Sequence, residues 1–348
     1  MAIIRQYYDT NRKPMRDIIP LPGPLSCVFE ITRMCNLKCF YCVHSTRGIP
    51  GGAFEHTGIP SKHMDEDLYD KLVHDIMDFP EPPKKINYAG LGEPLMNPML
   101  GEMIIKLRES GYKNRINIIT NGILLTPERS SELVNTGISC IQISIQGLSK
   151  ESYIENCGVS IDMDSFMSNL KHLFKISRNK TEIVVKIIDS SLKTPEEEEC
   201  YYKMFDDVCD SMSIEHLMSG QRITKDFQYT EYVDKTLTVH RIKINEPFKA
   251  CSMLFYQLMS NVDGDIFPCV NSGLPSDMII GNVKNQSLKD MWYKNKHMAL
   301  LKQNLAYGYK TISMCADCGC VGSTNTFNEN VDDCTEELLT RLEEMDNV

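Results

Sequence analysis

The chain has 348 residues and a formal net charge of -10, with 37 Lys and Arg against 47 Asp and Glu. That balance argues against a nucleic-acid binder, which needs a basic face, and no run approaches the ~18 apolar residues of a membrane span. The start, MAIIRQYYDTNRK, lacks the apolar core of a secretory signal. A cytoplasmic location is therefore expected, where 14 cysteines read as metal or catalytic ligands rather than disulfides. The length favours one large domain followed by a smaller one.

Residues 1–24 form a mixed lead-in ending in the turn-rich PLPGP. LSCVFEI (25–31) is a short apolar, β-branched run and reads as a buried strand. A cysteine-rich loop follows it, and 43–64 is irregular. Residues 65–79 carry Leu68, Leu72, Val73, Ile76 and Phe79 at helical spacing, ended by Pro80, Pro82 and Pro83. Strand and helix then alternate: KINYA (85–89), helix 99–110, RINIIT (115–120), helix 127–136, ISCIQISI (138–145), helix 165–177, EIVVKII (182–188), helix 195–209 and a strand at 211–217. Thr126 before Pro127 is a helix start signal. Six strand–helix units predict a parallel sheet, too few for a closed eight-stranded barrel. Residues 219–249 lose the alternation and read as a bridge. Residues 250–348 are cysteine-rich, with only short strand-like pieces (257–261 and 265–268) before a last helix at 335–344.

The loop after the first strand reads Cys35-Asn36-Leu37-Lys38-Cys39-Phe40-Tyr41-Cys42, a C-x3-C-x2-C pattern. Three thiolates so spaced hold three irons of a 4Fe–4S cluster and leave the fourth without a protein ligand. The pattern resembles the cluster loop of the radical S-adenosylmethionine (radical SAM) superfamily. The resemblance implies that the open iron chelates the methionine part of SAM and that cleavage yields a 5′-deoxyadenosyl radical. It also implies a fold, an α/β partial (β/α)6 TIM-type barrel over 25–218. A zinc knuckle is the bland alternative, but no fourth ligand follows at zinc-finger spacing.

Gly90-Leu91-Gly92-Glu93-Pro94, after the second strand, resembles the family's GGEP motif with Leu91 inserted. The resemblance implies that Gly90, Gly92 and Glu93 receive the ammonium of SAM; a plain turn is the other reading. Asn121, Ser144 and Gln146 stand at the ends of the third and fourth strands, where the family contacts ribose hydroxyls and the SAM carboxylate. Lys186 on the fifth strand is a candidate for that carboxylate or a solvated lysine. His216 and Leu217, after the sixth strand, stand where the family packs adenine, and Tyr41 is expected to contact adenine through its backbone and ring.

Near the C-terminus, Cys251 and Cys269 enclose C-x12-G-x4-C with Gly264, and Cys315-x2-Cys318-x-Cys320 follows. This resembles the SPASM and twitch extensions that hold auxiliary 4Fe–4S clusters. A full SPASM domain carries more cysteines, so one auxiliary cluster is expected, on Cys251, Cys269, Cys315 and Cys318. Cys320 is the alternative to either of the last two, and a second cluster using Cys320 and Cys334 is the further alternative. A structural zinc site from the same thiols is the bland reading.

The expected activity is hydrogen abstraction from a carbon of a small polar, sugar- or aminocyclitol-like molecule, giving oxidation or epimerisation. Epimerisation needs a thiol hydrogen donor in the barrel, with Cys209 and Cys157 as candidates against a packing role. The family implies an electron donor such as flavodoxin or ferredoxin, and no nucleic-acid or membrane partner is expected. Two other readings are a peptide or protein side-chain maturase on the same fold and a zinc-binding interaction module without catalysis.

Overall fold

The computed structural model describes residues 2–4, 12–56, 61–218, 233–234, 236–244, 248–270, 276–293, 295–313, 315–316, 318–321 and 327–346. Much of the expected 219–249 bridge lies outside the described residues.

Among the described residues, ten strands form one sheet. They are β1 (Ile3–Ile4), β2 (Ser26–Phe29), β3 (Lys85–Tyr88), β4 (Arg115–Thr120), β5 (Cys140–Ile145), β6 (Glu182–Ile188), β7 (Ser211–Glu215), β8 (Gln257–Ser260), β9 (Asp265–Phe267) and β10 (Gly281–Asn282). The order is β1-β7-β6-β5-β4-β3-β2-β8-β9-β10. Neighbours are parallel from β1 through β8, and β9 is antiparallel to both β8 and β10. The helices are α1 (Met15–Ile18), α2 (Ala53–His56), α3 (Glu66–Met77), α4 (Leu100–Glu109), α5 (Pro127–Asn135), α6 (Lys150–Cys157), α7 (Met163–Ser177), α8 (Pro195–Phe205), α9 (Leu288–Tyr293), α10 (Asn295–Tyr307) and α11 (Thr335–Asp346).

The six strands read from the sequence are β2 to β7, and side-chain alternation assigns their two faces. One face, with Ile86, Tyr88, Ile116, Ile118, Ile141, Ile143, Ile183 and Val185, is buried under the helices. Tyr69 of α3 donates or accepts with Tyr88 across that layer, Oη to Oη at 2.6 Å. The opposite face carries Ser26, Asn87, Asn117, Gln142, Ser144, Lys186, Ser211 and Ser213, interspersed with Val28, Ile119 and Val184. Asn87 donates to Ser26 Oγ at 3.3 Å, and Asn117 donates to Asn87 Oδ1 at 3.3 Å. This face is the lumen of the partial barrel.

Two features differ from the sequence reading. The C-terminal extension is continuous with the barrel, because β8 pairs with β2 in parallel register, Ser26 opposite Gln257 and Phe29 opposite Ser260. An open barrel leaves β2 an unpaired edge, and β8 satisfies its backbone groups. The extension is also helical, through α9 and α10. Its apolar period is interrupted by His297 and Asn304, which are themselves fully buried. The unexpected α6 is set by a Ser149/Ser152 capping box and by Gly158 in left-handed conformation at its C-terminus.

Candidate active site and auxiliary thiol site

Cys35, Cys39 and Cys42 line a cavity of ≈280 Å³ at the C-terminal ends of the barrel strands. The same cavity is bounded by Tyr41, Gly90, Gly92, Glu93, Asn121, Ser144, Gln146 and Lys186. Chain direction explains the meeting, since every strand of the barrel delivers its C-terminal residues to one rim.

The cysteine loop is clasped from both sides. Arg47 donates to the Cys35 carbonyl at 2.5 Å and to the Leu37 carbonyl at 3.5 Å. From α6, the Cys157 and Asn156 carbonyls accept from Lys38 N–H at 3.0 Å and Phe40 N–H at 2.9 Å. Burial pushes the Cys35 thiol up to about 12, against the Leu37 N–H and Arg47, which act to lower it. Cys39 is raised by its hydrogen bond with Cys157, then by burial. Thiols held protonated in this way release protons when iron binds them.

Glu93 is 3% exposed. Its Oε1 accepts from Leu95 N–H at 3.0 Å and Thr120 Oγ1 at 2.6 Å, and its Oε2 accepts from Asn121 N–H at 2.7 Å. Burial raises its pKa, while the Asn121 N–H, Thr120 hydroxyl and Leu95 N–H oppose the shift. A Cβ on Gly92 would stand 2.1 Å from the Thr32 carbonyl oxygen. Only glycine lets this turn close on the segment leading to the cysteine loop. Asn121 donates to Asn36 Oδ1 at 2.7 Å and so ties the β4 exit to the same loop. Tyr41 donates to Gln146 Oε1 at 2.8 Å, and Gln146 donates to the Ser144 carbonyl at 3.1 Å. Lys186 pairs with Glu215 at 2.7 Å.

Four sequence candidates are not among the residues lining this cavity. His216 is turned to Asp189 (Nδ1 to Oδ2, 2.6 Å) and accepts the Asp234 N–H on Nε2 at 2.9 Å, which fastens the chain after β7. Leu217 is buried beside it. Cys209 precedes β7, at the opposite end of the barrel, with its thiol on the Phe205 carbonyl at 3.3 Å. Cys157 is fully buried behind Cys39 and donates to the Tyr153 carbonyl at 2.9 Å. Neither thiol reaches the mouth as a hydrogen donor must.

A second thiol group forms around β8 and β9. Burial raises the Cys251 pKa, with Cys269, Cys315 and Cys318 adding to it. Cys320 is raised by its hydrogen bond with Cys318 and by burial, with Cys269 and Cys251 also acting on it. Cys251 thus has Cys269, Cys315 and Cys318 for neighbours, and Cys320 has Cys318, Cys269 and Cys251. The charges acting on Cys334 include Arg16, Asp333, Glu337 and Arg341. Asn304 of α10 was not read from the sequence as a site residue, yet it fixes Cys251. It accepts the Cys251 N–H at 2.9 Å and donates to the Cys251 carbonyl at 3.0 Å. Asn304→Ala leaves both backbone groups buried and unpaired, at a cost of about 2 kcal/mol or more. Iron in the reconstituted variant should fall from about eight toward about four per chain, read by colorimetric assay.

Among the described residues, no three of His, Cys, Asp or Glu converge on one metal-ion position. Zinc needs that convergence, whereas the ligands of a cubane each serve a different iron. The donor set, all thiols in two half-buried groups, fits iron–sulfur clusters.

A parallel partial barrel with a three-thiol loop and a Gly-Glu-Pro turn at its C-terminal rim defines an iron–sulfur enzyme that binds SAM. Residues 29–190 match the model of the radical SAM superfamily, and residues 251–319 match SPASM, an iron–sulfur cluster-binding domain. The chain thus carries a radical SAM domain over its barrel and a SPASM iron–sulfur domain after it. Its cofactors are a 4Fe–4S cluster, SAM and auxiliary iron–sulfur. It is 23% identical over 322 residues to the tungsten-containing aldehyde ferredoxin oxidoreductase cofactor-modifying protein of Pyrococcus furiosus, covering 83% of this chain and 85% of that protein. In fold it is similar to BtrN in complex with AdoMet and 2-DOIA, at TM-score 0.53 and 18% identity, covering 87% of this chain and 97% of that one. It is also similar to Streptococcus suis SuiB bound to precursor peptide SuiA, at TM-score 0.63 and 16% identity, covering 92% of this chain and 77% of that one. Among the described residues, no helix is long and apolar enough to cross a membrane.

Proposed function

We propose that the chain oxidises a small, polar, hydroxylated substrate held in the barrel lumen. The observation that carries this reading is the meeting of Cys35, Cys39 and Cys42 with Glu93, Asn121, Ser144 and Gln146 in one cavity at the ends of the barrel strands. Bound there, the cluster and SAM supply a reductive cleavage whose 5′-deoxyadenosyl radical takes a hydrogen atom from an unactivated carbon.

The chain's own residues hold the reactants. A carboxylate offers about four acceptor sites, and Glu93 spends three on Thr120, Leu95 and Asn121. The remaining one accepts from the SAM ammonium, a charge-assisted bond. Ser144, Asn121 and Gln146 take the ribose and carboxylate, and the Lys186–Glu215 pair completes the wall. Tyr41, pinned on Gln146, presents its backbone to adenine.

Oxidation is favoured over epimerisation by the placement of the thiols. Cys251 precedes β8 and Cys269 follows β9, so the auxiliary group flanks the start of β8, while the Cys35 loop follows the end of its neighbour β2. A four-residue strand spans ~13 Å, so a substrate in the lumen lies between the two sites. The auxiliary thiols would hold a cluster able to take the one electron left over when an alcohol that has lost a hydrogen atom and a proton becomes a ketone. Cys140 shares the lumen face but begins β5, ~13 Å of strand from Ser144. A small donor such as flavodoxin or ferredoxin supplies the cleaving electron.

The test is anaerobic turnover of sugars and aminocyclitols with SAM and a chemical reductant. A product lacking two hydrogens, formed with 5′-deoxyadenosine, is the expected result. Solvent deuterium uptake with inverted configuration would replace oxidation by epimerisation, and turnover of peptides alone would overturn the small-substrate reading.

A further inference from the structure

We propose that the N-terminal rim of the barrel is an oxyanion site in which Lys85, Arg115 and Arg12 hold a phosphate or carboxylate group of the substrate. The inference rests on the reading that the substrate occupies the lumen, and it names that substrate as an anionic, hydroxylated small molecule.

Strand register makes the site. Lys85 opens β3 and stands level with Ser26 of β2 and Arg115 of β4. Ile86 and Tyr88 face the helices, so Lys85 shares the lumen face with Asn87. Beyond burial, the charged groups acting on the Lys85 ammonium are two cations, Arg12 and Arg115, which lower its pKa, and the Cys140 thiol, which raises it. Arg12 pairs with Glu329 at 2.5 Å, which also accepts from Tyr256 Oη at 3.0 Å, and Arg115 pairs with Glu182. Among the described residues, Lys85 has no ion pair. Lys85 thus adds a cation beside two ion pairs on a chain whose net charge is -10. Burial, then Arg12 and Arg115, lower the Lys85 pKa, as expected of an ammonium lacking a counter-ion. The arginine side chains are 38% and 39% exposed, so an anion reaches the rim from solvent.

On the same face, three buried polar atoms have no hydrogen-bond partner: Gln257 Oε1 at the level of the rim, and Ser211 Oγ and Ser213 Oγ further along. Gln257 stands level with Ser26, and Ser213 level with Lys186 of the cofactor cavity. Buried polar atoms are almost always paired in a complete site. These orphans match hydroxyls of a substrate anchored by its anion at the rim, with its reacting carbon toward the C-terminal cavity ~13 Å along the strand.

The test is calorimetric titration of the reconstituted full-length protein with inorganic phosphate and, separately, acetate. At least one of the two should bind the native protein, and the stronger probe identifies the group as phosphate or carboxylate. Lys85→Gln, which removes the charge, should weaken that binding tenfold or more, the size of one charge-assisted hydrogen bond. Lys85→Arg, which keeps the charge, should restore most of it. Absence of binding of both probes at millimolar concentration, or equal affinity in Lys85→Gln, overturns the proposal. The same preparation is assayed for 5′-deoxyadenosine, so failure of the anion site is distinguished from failure of the radical reading.

Discussion

Replacing Cys35, Cys39 and Cys42 together with alanine should abolish 5′-deoxyadenosine formation and remove about four irons per chain, leaving about four on the auxiliary thiols. The two losses are coupled because the three thiols share one cavity with Glu93 and the strand-end polar groups. The fold should survive. The loop backbone is held by Arg47 and by carbonyls of Asn156 and Cys157, none of which depends on the three side chains. Far-ultraviolet circular dichroism and thermal unfolding check this. Persistence of the cleavage product in the triple variant would place the catalytic cluster elsewhere.

Glu93→Gln should weaken SAM binding by roughly tenfold to a hundredfold, the range expected when a hydrogen bond to a charged group loses its charge. The amide keeps the shape of the carboxylate and one acceptor oxygen, so the effect falls on the cationic ligand first. Glu93→Ala goes further. It strips the Asn121 and Leu95 N–H groups of their acceptor in a buried site, which costs about 2 kcal/mol or more. It also frees the Thr120 hydroxyl, loosening the β4 exit that Asn121 ties to Asn36. Equilibrium binding of SAM to the two reconstituted variants, with thermal unfolding alongside, separates the loss of charge from the loss of scaffold. Wild-type affinity in Glu93→Gln would remove Glu93 from the ammonium site.

Much of this was legible because it is local. Cysteine spacing needs no tertiary information, and the apolar runs at 85–89, 115–120 and 182–188 announce strands in any context. Gly92 before Glu93 was readable as a motif, although its reason, the approach to Thr32, appears only in three dimensions. The lumen was not legible. Ser26, Asn87, Asn117 and Gln142 are ordinary polar residues in separate strands until register sets them on one face. Lys85 is only the first residue of a strand in the sequence, and its place beside Arg115 and Arg12 comes from register and tertiary structure. The scattered cysteines show the same limit, because nothing local to Cys157 or Cys209 says where in the barrel each thiol ends. One ends behind the cluster loop and the other at the far end of the barrel. His297 and Asn304 hid a helix because buried polar residues break the apolar period from which helices are read.

The most direct measurement is to reconstitute the protein without oxygen, count iron and sulfide, add reductant and SAM, and quantify 5′-deoxyadenosine. About eight of each atom per chain, from two cubanes, together with 5′-deoxyadenosine formation, is the predicted result. A protein that holds about eight irons and sulfides yet yields no 5′-deoxyadenosine, while a known radical SAM enzyme in the same assay does, would contradict the assignment of the cavity at the C-terminal rim as the catalytic centre.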